Sequence, residues 1–170
     1  VSLSREVSVQ GRREVLLGKG KFGIFGDGKE LPQVVMSHFF KDGDYRSGYY
    51  RDQTLLMSQN LLSAREIFAA VYGHPDKLYE KMSGGRQMAG HFLTNTIDEN
   101  NNWIDQTSQK NHISDISPTA SQMSRLVGLG LASKIYRNNS INGSEKFSKN
   151  GNEIVWGTIG NASTSQGIFF

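Results

Sequence analysis

The feature that most limits the fold of this 170-residue chain is a short apolar run near its end, "EIVWGTI" (Glu153 to Ile159). Its β-branched and aromatic residues are typical of a strand buried on both faces of a parallel sheet. Parallel strands are joined by crossovers of about a dozen residues or more, usually helices. A second extended segment is predicted at Tyr45 to Gln53. The pattern predicts an α/β protein in which helices alternate with short strands.

Three helices are predicted from apolar periodicity and end signals. The first begins at Glu30, and the second is opened by the capping box Ser63–Glu66. The third, Met123 to Tyr136, is strongly apolar but contains Gly128 and Gly130. Because glycine costs about 1 kcal/mol relative to alanine inside a helix, the two glycines indicate close packing against another backbone.

Composition excludes several classes of function. The net charge is only +3 and basic residues are interspersed with acidic ones, so no nucleic-acid footprint is visible. The chain has no cysteine, which suits a reducing compartment. No apolar stretch approaches the length of a membrane span, and the first residues lack a signal-peptide pattern. We therefore expect a cytoplasmic protein without membrane or nucleic-acid partners.

Two local patterns have weak functional meaning. "GKGKFG" (Gly18 to Gly23) matches G-x-G-x-x-G, but it is followed by "IFGDGKE" rather than by a helix. The downstream kinase motifs are also absent. The four histidines show no metal-ligand spacing, and His91, in a glycine-flanked loop, is the one candidate for a functional role.

The segment after the final strand, Gly160 to Gly167, is rich in small hydroxyl residues. Backbone N–H groups at such a strand end can face an anion, and the start of a helix there would add its positive end. The side-chain oxygen of Asn161 could contact a hard cation such as Mg²⁺. A plain turn from strand to helix explains the same residues, so both interpretations stay open.

Four stretches together resemble one family. "YYRDQTLLM", "GRQMAGHF", "ISPTASQMSRLVGLGLASK" and "GTIGNASTSQG" have the order and spacing found in the alpha part of thiamine-diphosphate-dependent 2-oxo acid dehydrogenases. The similarity runs from about Phe22 to the last residue and is greatest to the branched-chain (2-oxoisovalerate) type, in which G-R-Q-M-x-x-H is distinctive. It implies a partial thiamine-diphosphate-binding fold, with a parallel sheet flanked by helices. It also implies oxidative decarboxylation of a 2-oxo acid and acyl transfer to a lipoyl group.

The resemblance assigns roles to individual residues. Tyr50 and Arg51 match a pair that reaches the cofactor diphosphate, a task suited to a guanidinium group. His91 matches a histidine near the substrate carboxylate. Three further positions match cofactor contacts: Ser117, Thr119 and Ala162. Asn161 matches a magnesium ligand. A potassium site matches Ile116, Pro118, Ser121 and Gln122.

The same resemblance implies partners and a domain division. The partners are a beta part, separate or fused, which supplies the carboxylate that activates the cofactor, and a lipoyl acyltransferase. Residues 1–21 are an extension without interpretation, and residues 22–170 are the N-terminal portion of the cofactor-binding domain. Because the chain stops inside the diphosphate motif, we expect a fragment that is inactive alone.

One departure from the family pattern keeps alternatives open. Asn161 stands where the motif has an acidic metal ligand, so Mg²⁺ affinity is expected to be reduced. A catalytically degenerate scaffold or binding module of the same fold would explain that change. Another thiamine-diphosphate enzyme, such as a transketolase or an acetoin dehydrogenase, is the second alternative.

Overall fold

A computed structural model describes residues 1–87 and 90–170 of the chain. These residues form helices α1 to α5, at Ser2–Leu16, Glu30–Phe39, Gln53–Ser58, Ala64–Val71 and Ser121–Asn138, and strands β1 to β3, at Tyr45–Ser47, Asn111–Ile113 and Val155–Gly157. Short 3-10 helices occupy Gln106–Ser108, Ser144–Lys146, Asn161–Ser165 and Gly167–Phe169. None of the helices formed by these residues is both long and apolar enough to cross a membrane.

The three strands form one parallel sheet in the order β2-β1-β3. Arg46 of β1 is in register with His112 of β2 and Trp156 of β3. β1 is buried at all three positions, because it has a neighbour on each side. The predicted α/β class with a parallel sheet is therefore confirmed.

The described residues group into two compact units. The first consists of Val1–Phe39 with Tyr50–His91, and the second of Phe40–Tyr49 with Phe92–Phe170. The first unit is helical: α2 packs on α3, and α1 packs on α3 and α4 around the buried Leu55 and Leu56. The second unit contains the sheet, against which α5 packs at β1 and β3.

The helices predicted at Glu30 and after Ser63 are confirmed as α2 and α4. The capping box is complete, because the Ser63 hydroxyl accepts from the Glu66 backbone N–H and the Glu66 carboxylate accepts from that of Ser63. The extended segment predicted from Tyr45 is strand only over β1, and Gln53 already belongs to α3.

Three expectations about the later segments are wrong. β3 is an edge strand in this chain, with Val155 and Trp156 half-buried, so it is not covered on both faces. Gly128 and Gly130 of α5 face open space rather than a neighbouring backbone within the described residues. The residues after Gly160 form short 3-10 turns instead of an α-helix.

Candidate functional site

The Tyr50–Arg51 pair lies in a turn between β1 and α3, and its main chain is held on two sides. The Arg51 carbonyl oxygen accepts a hydrogen bond from Nε2 of the buried Gln33 at 3.0 Å. Gly26 lies so close that an added Cβ would be 2.5 Å from the same oxygen. The backbone of Arg51 is therefore fixed by α2 and by a glycine that no larger residue can replace without movement.

The side chains of this pair interact with each other and with a third predicted site residue. The guanidinium carbon of Arg51 lies 5.4 Å from the Tyr50 ring centre, within cation–π range. The His91 ring meets the Tyr50 ring edge-on, with 6.1 Å between ring centres. The structure thus brings together Tyr50, Arg51 and His91, all in the first unit and up to 41 residues apart.

The backbone of residues 82–85 is shaped by Glu80, which sequence reasoning missed. Glu80 is fully buried, and its carboxylate accepts from the backbone N–H groups of Met82, Ser83 and Gly85 at 2.7–3.0 Å and from the Ser83 hydroxyl at 2.8 Å. Burial alone would raise the pKa of Glu80, but these hydrogen bonds hold it below its ordinary value. The signal in the sequence is an acid three residues before Ser-Gly-Gly.

The conformation and surroundings of Gly85 explain why the G-R-Q-M-x-x-H stretch begins with a glycine. It has a φ of +74°, and an added Cβ would lie 2.5 Å from the Gly73 carbonyl oxygen. A side chain is excluded here by both conformation and space. Met88 and Ala89 of the same stretch lie outside the described residues.

The segment between β2 and α5 carries the positions predicted to hold potassium. The Ile116 N–H donates to the Gly48 carbonyl at 3.3 Å. The Pro118 carbonyl accepts the Ser121 N–H at 3.2 Å. Gln122 is buried, and its Nε2 donates to the Thr158 carbonyl at 2.9 Å, so the amide orientation is fixed.

The turn into α5 has a strained residue. Ala120 is buried and left-handed, with a φ of +64°, a conformation uncommon for residues other than glycine. Strain of this kind persists only where the surroundings enforce it, and it concentrates at functional sites. The predicted cofactor contacts Ser117 and Thr119 flank Pro118 just before this turn and are exposed.

Asn161 and Ala162 begin an exposed 3-10 turn after β3. The Thr164 hydroxyl donates to the Asn161 carbonyl at 2.6 Å, and the Ser165 hydroxyl donates to the Ala162 carbonyl at 2.8 Å. Because the Gln122 amide holds Thr158, the start of this turn is tied to the start of α5 within the second unit. The positions predicted for potassium and magnesium are thereby linked through one buried side chain.

The residue types fit a diphosphate better than a magnesium ion. Each unit has donors of a type suited to phosphate oxygens: the Arg51 guanidinium in the first, and the exposed residues Ser117 and Thr119 in the second. The segment Gly160 to Gly167 contains no carboxylate. Among residues 1–87 and 90–170, no three His, Cys, Asp or Glu side chains are grouped so as to hold a metal. A magnesium ion would depend on the Asn161 amide oxygen together with phosphate and water oxygens.

The glycine pattern Gly18 to Gly23 takes no part in these arrangements. The residues before it belong to α1, so no strand precedes it, and turns rather than a helix follow. A dinucleotide fingerprint needs both of those elements. The pattern is a consequence of a glycine-rich connection between α1 and α2.

One family of known proteins matches most of the chain. Residues 13–170 match the family model described as "Dehydrogenase E1 component". No curated protein sequence matches the chain. The family match begins within α1 and includes every predicted site residue from Tyr50 to Ala162. The chain therefore belongs to the dehydrogenase E1 component family, the thiamine-diphosphate-dependent decarboxylating components of 2-oxo acid dehydrogenases.

Proposed function

We propose that the chain is the alpha part of an E1 component of the branched-chain type, acting on 2-oxo acids such as 2-oxoisovalerate. The observation that carries this proposal is the contact between the Tyr50 and His91 rings. It places the predicted diphosphate-binding pair beside the histidine of the G-R-Q-M-x-x-H stretch, the feature by which the branched-chain type is distinguished. The buried Glu80 and the steric limit at Gly85 support a defined backbone where that stretch begins.

In this proposal Tyr50 and Arg51 hold the cofactor diphosphate, aided by Ser117, Thr119 and the backbone at Ala162. Bound thiamine diphosphate supplies the carbanion chemistry by which a 2-oxo acid loses CO₂. Arg51 offers a charged, forked donor on a fixed backbone, so its contribution is binding and orientation. His91 contributes a ring nitrogen for the substrate carboxylate, held in place by the Tyr50 ring.

Two cations complete the proposed site. Potassium would bind at the carbonyl groups and side-chain oxygens of Ile116, Pro118, Ser121 and Gln122, and would hold the segment before α5 in its strained form. Magnesium would be contacted by Asn161. The expected partners are the beta part and a lipoyl acyltransferase, with which the family works. The lack of cysteine supports a cytoplasmic location.

Substrate profiling of the enzyme assembled with its beta part tests the proposal. We expect thiamine-diphosphate-dependent decarboxylation with branched 2-oxo acids to exceed that with pyruvate, measured as kcat/KM with a dye or lipoyl acceptor. A preference for pyruvate would exclude the branched-chain assignment. Turnover of acetoin or of sugar phosphates would favour the other thiamine-diphosphate enzymes instead.

A second candidate, a scaffold that keeps the fold without catalysis, is favoured by the chemistry at Asn161. The neutral amide is a weaker ligand for a divalent cation than a carboxylate, and the turn around it has no acidic residue. Cofactor titration with and without Mg²⁺ separates the candidates, because a scaffold should bind neither. In an active enzyme, Asn161→Asp should lower the Mg²⁺ concentration needed for cofactor binding, whereas the exposed control Asn142→Asp should leave it unchanged.

A further inference from the structure

A buried ion pair lies at the centre of the second unit. Arg46 of β1 is 0% exposed, and its Nη2 donates to Oδ1 of the buried Asp115 at 2.6 Å. Two opposite charges removed from water in this way are tolerated only when their remaining hydrogen-bonding atoms are also satisfied. The other hydrogen-bond partners of Arg46 and Asp115 show which backbone segments the pair contacts.

Asp115 binds the chain that follows His91. Its Oδ2 accepts from the Phe92 backbone N–H at 3.2 Å, and its own N–H donates to the Phe92 carbonyl at 3.0 Å. Asp115 therefore forms hydrogen bonds with both backbone polar groups of Phe92. Asp115 also immediately precedes Ile116, the first position of the proposed potassium segment.

Arg46 holds the chain that leads to Tyr50. Its Nη2 also donates to the Tyr49 carbonyl at 3.4 Å, a longer contact than the one to Asp115. On the other side, its Nη1 lies 3.2 Å from Nδ1 of the buried His112. The Phe40 ring stacks on His112 at 5.1 Å between ring centres. A planar, forked guanidinium can serve all three partners at once, which an ammonium group cannot do with the same geometry.

We infer that Arg46 and Asp115 are positioning residues that set the entry points of three segments of the proposed site. The first segment begins after Tyr49, the second ends before Phe92, and the third begins after Asp115. All three of these residues belong to the second unit. Neither charged side chain is accessible to substrate or cofactor, since both are buried. The inference rests on the proposed function for what the segments bind, whereas the anchoring itself rests on the contacts.

The test uses the enzyme assembled with its beta part and compares Arg46→Lys with the paired variant Arg46→Met/Asp115→Leu. The paired variant removes both charges together, so it avoids an unpaired buried charge if Arg46→Lys does not fold. The control is Asp44→Asn. Asp44 is an equally buried carboxylate just before β1, and it accepts from the N–H groups of Lys41 and Ile154 and from the Trp156 indole N–H, none of which belongs to the three segments above.

We expect faster amide hydrogen exchange at Phe92 and Ile116 in both test variants, measured well below their melting temperatures. We also expect the KM for thiamine diphosphate to rise roughly 10- to 100-fold, equivalent to about 1.4–2.8 kcal/mol of lost binding free energy, with a smaller fall in kcat at saturating cofactor. Asp44→Asn should lower stability without either change. This difference separates positioning from a general loss of stability.

Unchanged exchange at both amides would overturn the inference. So would faster exchange with an unchanged KM, because the pair would then hold the backbone without affecting the site. If the parent enzyme binds no thiamine diphosphate, the proposed function fails, and the exchange rates still decide whether the pair anchors the segments.

Discussion

Arg51 has a fixed main chain and carries the positive charge expected at the diphosphate, so its side chain can be tested separately from its backbone. Arg51→Ala leaves the carbonyl contact with Gln33 available and removes the side chain beyond Cβ, including the guanidinium and its contact with the Tyr50 ring. We expect thiamine diphosphate binding by the assembled enzyme to weaken by at least about 1 kcal/mol, the scale of a lost charged hydrogen bond. Isothermal titration measures the change.

The control for Arg51 is Arg13→Ala, which removes an exposed guanidinium from α1 in the same unit. Its cofactor affinity should equal that of the parent. Equal affinity in Arg51→Ala and the parent would contradict the assignment of Arg51 to the diphosphate.

His112 makes the stability of the second unit depend on pH. Burial, with the nearby charges of Arg46 and Lys110, lowers the pKa of His112 from 6.5 to about 2. Below pH 6.5 the unfolded chain binds a proton that the folded chain does not. The free energy of unfolding therefore includes the full contribution of neutral His112 above pH 6.5. It decreases as the pH falls below 6.5, by up to about 1.4 kcal/mol per pH unit.

Urea unfolding at pH 7 and pH 5 measures this dependence. His112→Gln keeps an acceptor for Arg46 but cannot titrate, so we expect lower stability at pH 7 and a smaller loss on going to pH 5. The control, His38→Gln, replaces an exposed histidine and should retain the parent slope. If the stability of His112→Gln changed with pH as steeply as that of the parent, other groups would be the cause of the acid sensitivity.

At the scale of elements, the backbone of residues 82–85, in the segment after α4, depends on the Glu80 carboxylate. In Glu80→Gln the side-chain NH₂ group must face N–H donors that the carboxylate now accepts. We expect a loss of about 1–3 kcal/mol of stability, the cost of a buried donor left unsatisfied. Because the hydrogen bonds hold the pKa of Glu80 below its ordinary value, its contribution is present at neutral pH and is lost in acid.

Chemical denaturation gives the stability change for Glu80→Gln, and limited trypsin digestion at the adjacent Arg86 reports loop opening. We expect faster cleavage there in the variant. The exposed Glu99→Gln is the control and should match the parent in both measurements. Parent-like stability and cleavage in Glu80→Gln would contradict the role of Glu80 in shaping the loop.

Elements with a strong local signal could be predicted from the sequence, and those fixed by tertiary contacts could not. The capping box at Ser63 marks α4 because serine and glutamate satisfy each other's backbone partners locally. The buried face of α1 includes Ser4, Ser8 and Gly11, so its apolar periodicity is weak. The Ser4 hydroxyl pairs with Thr54 at 2.6 Å, a contact made 50 residues away that no local pattern reveals.

Helix α5 shows the opposite error, in which an apolar sequence predicts burial that this chain does not supply. Val127 is 73% exposed and Leu131 is 56% exposed. Apolar content alone cannot distinguish a helix covered by its own chain from one whose apolar residues remain on the surface. The cost of glycine inside a helix predicts close packing at Gly128 and Gly130, but both face open space within the described residues.

For the whole molecule, the α/β class follows from the alternation of elements, but the arrangement of the sheet does not. The central strand β1 reads Tyr-Arg-Ser, and its buried arginine is a poor signal for an interior strand. Its burial depends on Asp115 and His112, which are more than 60 residues away. The candidate site residues can be proposed from the sequence because they lie in contiguous stretches, whereas the buried pair Arg46 and Asp115 is divided between two strand regions.

The last prediction concerns the dependence of this chain on its partner. The carboxylate that activates the cofactor is expected in the beta part, and in the proposed site Asn161 would give the metal only a neutral ligand. A ligand that binds the folded protein stabilises it by about 2.7 kcal/mol at 100 times its Kd. We therefore expect thiamine diphosphate with Mg²⁺ to raise the melting temperature of the assembled enzyme and to leave that of this chain alone unchanged. Scanning fluorimetry measures both, with thiamine lacking the diphosphate as the control. An equal rise for the chain alone would mean that its own residues suffice for binding, and the partner would then be needed only for turnover.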